Sequence, residues 1–281
     1  MSLVINVVYD ASVTNLQLSN PTLYQEYTAA VATAVQYYES QISNPITVTI
    51  DFGWGEIAGK TLSPGAIGES SAFLFSTNYA TLYGAVKADE TTSLVQQAAV
   101  TSLPASDPTG GAKFSIATAE AQALGLIPAN QQANYTIGGA VGLDSTTAFS
   151  WTQSNVAANT DDAVGTLEHE ISEVLGRTDD LGSDTPAGGP VAYTLLDMFH
   201  YTAANNSPND TPGAPAGKLD EPFVSGYFEG AYGYFSYNGQ TVTLPYDTPA
   251  QIQAGGDVGD WTNLVANDSF GFSVAGRGFT K

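Results

Sequence analysis

HEISEVLGRTDD, residues 169–180, is the stretch on which the reading of this chain turns. A histidine and a glutamate stand side by side, a second glutamate follows His169 at i+4, and Gly176 and Asp179 come after it. Residues four apart on a helix share a face, so His169 and Glu173 can point into one cleft. An imidazole with a second ligand one turn on, and a glutamate beside it, is how a helix holds a divalent metal next to a general base. In this pattern His169 and Glu173 are ligands and Glu170 takes a proton from water. The usual second histidine is a glutamate here. Its carboxylate can ligate zinc, but it lowers the net charge of the metal and so weakens its Lewis acidity.

Helical phasing agrees with a cleft. At about 100° per residue, Val164, Leu167, Ile171, Val174 and Leu175 form one apolar stripe, and His169 and Glu173 fall on the opposite side with Glu170 between. An acidic solvent face would give the same pattern. The helix is expected to start at a cap among residues 160–162 and to run through Arg177.

Outward from this helix the chain alternates strands and helices. Residues 3–9 and 46–52 (ITVTIDF) read as strands, and 135–143 (YTIGGAVGL) as a strand weakened by its glycines. Asn20-Pro21 opens a helix to about Gln41, with Tyr24, Tyr27, Val31, Val35 and Tyr38 at helical spacing. Shorter helices are expected over 76–88, 91–103 and 118–124, the last stopped by Gly125, with a loop over 105–111. Beyond Arg177 come a loop rich in acids and glycine (178–190), an apolar segment (193–202), and a second loop (205–217). Asn238-Gly239 between aromatic and β-branched runs signals a hairpin within 227–244. Trp261 reads as a core anchor, and GGDVGD at 255–260 as a turn, since it breaks the calcium-repeat pattern at Val258. The whole reads as one α+β domain over 1–281, with an N-terminal part (1–177) that includes the motif helix and an irregular C-terminal part (178–281).

Composition sets the surroundings. Twenty-eight acids against seven bases give a net charge of −21, which argues against nucleic acid or an anionic membrane as partner. Only 12% of residues are charged, so the surface is largely Ser, Thr, Asn, Gln and Gly, a composition that leans towards an extracellular protein. Bound Ca²⁺ is one way to neutralise clustered aspartates. With no cysteine, disulfides and thiolate metal sites are excluded. No apolar run approaches the length of a membrane span. The first nine residues lack a basic n-region, so export is expected without a cleavable N-terminal signal. No GxSxG occurs, which leaves triad chemistry without support.

A third metal ligand has two candidates. Asp179 lies ten residues after His169 with Gly176 between, as in the extended metzincin pattern with aspartate third. His200 is the other of the two histidines. Met198 beside it suits a Met-turn or plain core, Tyr201 could stabilise a developing oxyanion, and Arg177 could pair with Asp179, Asp180 or a substrate carboxylate.

The segments NPITVTIDFGWGEI, SLPASDPTGG, HEISEVLGR, LLDMFHY and GGDVGDW together resemble a bacterial family of secreted metalloproteases with an HExxE core, over nearly the whole chain. The resemblance implies a zincin-like fold, a twisted mixed sheet with packed helices and an active-site helix. It also implies export, Zn²⁺ as cofactor, a protein or peptide substrate, and His169, Glu170 and Glu173 as the core motif. Asp179 is not clearly part of that family motif. The rival expectation is a non-catalytic secreted module on the same scaffold, binding a surface partner or Ca²⁺.

Overall fold

A computed structural model describes residues 2–89, 93–128, 130–179, 192–202, 233–238, 244–245 and 259–261. Its centre is a mixed four-stranded sheet in the order β1 (Val4–Tyr9), β2 (Thr47–Trp54), β6 (Ile137–Leu143), β3 (Gly68–Ala72). The first three strands run parallel, and β3 pairs antiparallel with β6 along its outer side. Val48, Ile50 and Phe52 alternate inward from β2 and are fully buried. They meet Tyr27, Val31 and Ala34 of α3 (Pro21–Gln41) and Leu167, Ile171 and Val174 of α7 (Ala163–Leu175) in one core. Burying a leucine or isoleucine this completely is worth roughly 2–5 kcal/mol against alanine.

Where the described residues cover them, the expected elements are present, with corrections. Residues 76–78 belong to a strand, β4 (Leu74–Asn78), because Ser76 and Thr77 pair with β5 (Lys113–Ala117); helix α4 (Tyr79–Ala88) starts only where the Asn78 side chain caps it. Strands β3 and β5 were not expected: GESSA is short and carries no apolar alternation, and KFSIA, although Phe114 and Ile116 alternate inward, is only five residues long. The glycines of β6 mark close approach more than weakness. Gly138 sits at a register shift against β2, where a Cβ would come 2.3 Å from Val48 Cγ1.

The remaining α-helices among the described residues are α1 (Ala11–Thr14), α2 (Leu16–Ser19), α5 (Leu94–Ser102) and α6 (Thr118–Ala123). Two residue pairs, β7 (Phe149–Ser150) and β8 (Asp161–Asp162), lead into α7. Asp162 caps that helix, accepting from the amides of Val164 and Gly165, an interaction worth about 1 kcal/mol. At the other end α7 stops at Leu175, two residues before the expected Arg177, because Gly176 takes a left-handed φ of 127°. Such a φ is open to glycine and strained for other residues.

The C-terminal elements are small. β9 (Ala192–Tyr193) extends the β4–β5 pair, and β10 (His200–Thr202), β11 (Gly233–Phe235) and β12 (Leu244–Pro245) form an antiparallel set. The β11–β12 pairing agrees with the expected hairpin, although Gly239 itself and the loops over 180–190 and 205–217 lie outside the described residues. Trp261 is buried with its ring against Phe235, as expected of an anchor. No helix among the described residues is long and apolar enough to cross a membrane.

Candidate metal centre

The acids of α7 are not a solvent face. Glu168, Glu170 and Glu173 are all buried, and the His169 side chain keeps only 13% of its exposure. The cause is tertiary: α3 and β6 pack on α7, β3 lies along it, and the segment 259–261 closes the remaining side. Gly68 of β3 makes room for Glu170, since a Cβ there would stand 2.6 Å from the Glu170 Oε1. Two residues on, the Ser70 hydroxyl donates to Glu173 Oε2 at 2.7 Å. Gly68 and Ser70 share one face of the strand, so both carboxylates lie between α7 and β3.

His169 Nε2 stands 3.2 Å from Glu173 Oε1 and 3.2 Å from Asp260 Oδ1. Among the described residues, these form the one group of three His, Asp or Glu side chains whose ligand atoms all lie within 4.8 Å of one another. A tetrahedral shell with metal–ligand distances of ~2.0–2.2 Å sets neighbouring ligand atoms roughly 3.3–3.6 Å apart. The two contacts at 3.2 Å are near that edge length, and imidazole and carboxylate are both metal-ligating groups. The residues fit a metal.

Asp260 is the residue that sequence reasoning missed. It lies in GGDVGDW, a segment read as a turn, 87 positions after Glu173, so no spacing rule could bring it to the helix. Asp179 and His200, the two expected candidates for a third ligand, do not join the group. They bind each other instead: His200 Nδ1 and Asp179 Oδ2 are 2.6 Å apart with both side chains fully buried. The reason is local geometry. Gly176 turns the chain out of the helix, so Asp179 lands under the C-terminal strands, against Gly259, where an added Cβ would be 3.2 Å from the Asp179 amide nitrogen. Tyr201 is likewise buried away from the triad, hydrogen-bonded to Ser102 of α5, and burial raises its phenol. Met198 belongs to the second apolar cluster, with Phe114 and Tyr193.

Arg177 occupies the centre of the arrangement. Its Nη2 donates to Glu173 Oε1 at 3.1 Å and stands 3.1 Å from His169 Nε2, while Nη1 donates to Asp260 Oδ1 and to the Gly259 carbonyl, each at 3.0 Å. Nε donates to the Ser172 hydroxyl at 2.6 Å. The expected pairing with Asp179 is not observed, and Asp180 lies outside the described residues. Burial opposes charge on His169, yet Asp260 and then Glu173 outweigh both burial and Arg177 and hold the imidazole well above its ordinary range. Glu173 is held below the usual carboxylate range: burial works against this, but His169 and then Arg177 prevail.

Searches of family models, curated proteins and solved structures find no match for this chain.

Proposed function

We propose that the chain is a metal-dependent hydrolase acting on peptide bonds, with the ion held by His169, Glu173 and Asp260. The observation that carries this reading is the convergence of those three ligand atoms, with Glu170 next to the first ligand on the same helix. A nitrogen donor among the three favours a zinc-like ion over Ca²⁺, which takes oxygen ligands. Bound there, such an ion would supply Lewis acidity to a scissile carbonyl and to the attacking water. Glu170 is the general base, seated against Gly68 so that its carboxylate stays beside β3. Ser70 fixes the outer oxygen of Glu173 and leaves Oε1 for ligation, the orienting role that outer partners play at metal sites.

The test is metal content followed by turnover. His169→Ala is expected to lose stoichiometric zinc. Glu170→Gln is expected to keep zinc and lose cleavage of an unfolded protein substrate. Protein that contains no zinc when made in zinc-replete medium, and takes none up afterwards, would sink the proposal. One observation favours the rival, a non-catalytic module: Arg177 already balances the two carboxylates, so the four side chains could be a permanent ion-pair network.

A further inference from the structure

We infer that Arg177 is a resident cation that competes with the metal for the triad and sets how tightly the metal is held. This rests on the metal reading above. The guanidinium reaches the same three atoms that a metal would use: Nη2 is 3.1 Å from both His169 Nε2 and Glu173 Oε1, and Nη1 is 3.0 Å from Asp260 Oδ1. An ion bonded to these atoms at ~2.0–2.2 Å would come within a few ångströms of a full positive charge. The site is enclosed, so that repulsion is weakly screened by water or salt.

Two bonds of Arg177 are not shared with a metal. Nε donates to Ser172, and Nη1 also donates to the Gly259 carbonyl. These tie the guanidinium beside the site through partners that are not members of the triad. In the metal-free chain it also keeps two buried carboxylates from facing each other uncompensated, a situation that costs several kcal/mol in an interior. Metal and guanidinium are therefore alternative counter-ions for one pair of acids.

The experiment titrates the metal-free full chain with Zn²⁺ against a chromophoric chelator, in wild type, Arg177→Gln and His169→Ala, with circular dichroism to confirm folding. Arg177→Gln is expected to bind zinc at least tenfold more tightly than wild type, and His169→Ala to bind none at the site. Equal or weaker binding by a folded Arg177→Gln overturns the competition while leaving the metal reading intact. No binding by either wild type or Arg177→Gln overturns both. Should Arg177→Gln not fold, wild-type protein decides by ¹⁵N NMR of its arginine side chains. The chain has only two arginines, Arg177 and Arg277, so assignment is direct. Saturating zinc is expected to shift or broaden the Arg177 Nη resonances; unchanged resonances at saturation overturn the inference.

Discussion

The two histidines sit in opposite surroundings. His200 is fully buried with Asp179 at 2.6 Å, on a short strand of the C-terminal set. His169 keeps some exposure on a long amphipathic helix and faces two carboxylates and a guanidinium. A sealed histidine–carboxylate pair serves as a fastener. Around it, Thr194 donates through its hydroxyl to the Thr178 carbonyl and through its amide to Asp197, tying 178–179 to 194–200. Gly259 packs against Asp179, so the fastener also fixes the neighbour of Asp260. The lesson is a division of labour: one histidine holds the C-terminal elements in place, and those elements bring the second carboxylate, Asp260, to the other histidine.

The contrast can be broken in several ways. The largest effect concerns chemistry at the His169 site: Glu170→Gln is expected to reduce peptide hydrolysis about 10²-fold or more while zinc content and melting temperature stay within error. A variant that still cleaves would remove the base from Glu170. At the His200 site the effect is on folding. Asp179→Ala leaves a buried partner uncompensated and is expected to lose about 3 kcal/mol or more in urea denaturation. It should also weaken zinc binding, because Asp260 is no longer delivered. A stable Asp179→Ala protein with unaltered zinc affinity would mean that 259–261 is held by other contacts.

A third comparison sets Glu120 against these paired acids. Its half-buried side chain lies against Gly176 at the end of α7, and burial pushes its carboxyl up to about 8. An acid raised in the folded state keeps its proton while the unfolded chain releases one. Stability therefore falls as pH rises from the unfolded value of 4.5 towards about 8. Glu120→Gln is expected to flatten that slope and to be roughly 2 kcal/mol more stable than wild type at pH 8; parallel stability–pH curves for the two proteins would contradict it. The smallest effect is expected from Ser70→Ala, which removes the bond to Glu173 Oε2 and should weaken zinc binding about tenfold without altering the fold. An unchanged affinity would show that Arg177 and the backbone suffice to orient Glu173.

Much of the scaffold was legible because its signals are local. Asn20-Pro21 fixed the start of α3, and the stripe from Val164 to Leu175 oriented α7, each through caps and periodicity within a few residues. Strand β3 escaped because a five-residue segment of small and polar residues acquires strand character only from its neighbours, and β5 because the alternation of Phe114 and Ile116 spans a single five-residue segment. Within the triad, the i+4 pair was legible and Asp260 was not.

The sequence alone determined a helix presenting His169, Glu170 and Glu173 in one turn, since helical spacing depends only on nearest turns of the chain. Tertiary structure decided that this turn is buried between β3 and the 259–261 segment, that Asp260 and not Asp179 or His200 comes to stand beside His169 and Glu173, and that Arg177 stands among the three. Those outcomes depend on contacts between residues tens of positions apart, whose closure is set by packing of the whole chain and leaves no periodic trace in the residues themselves.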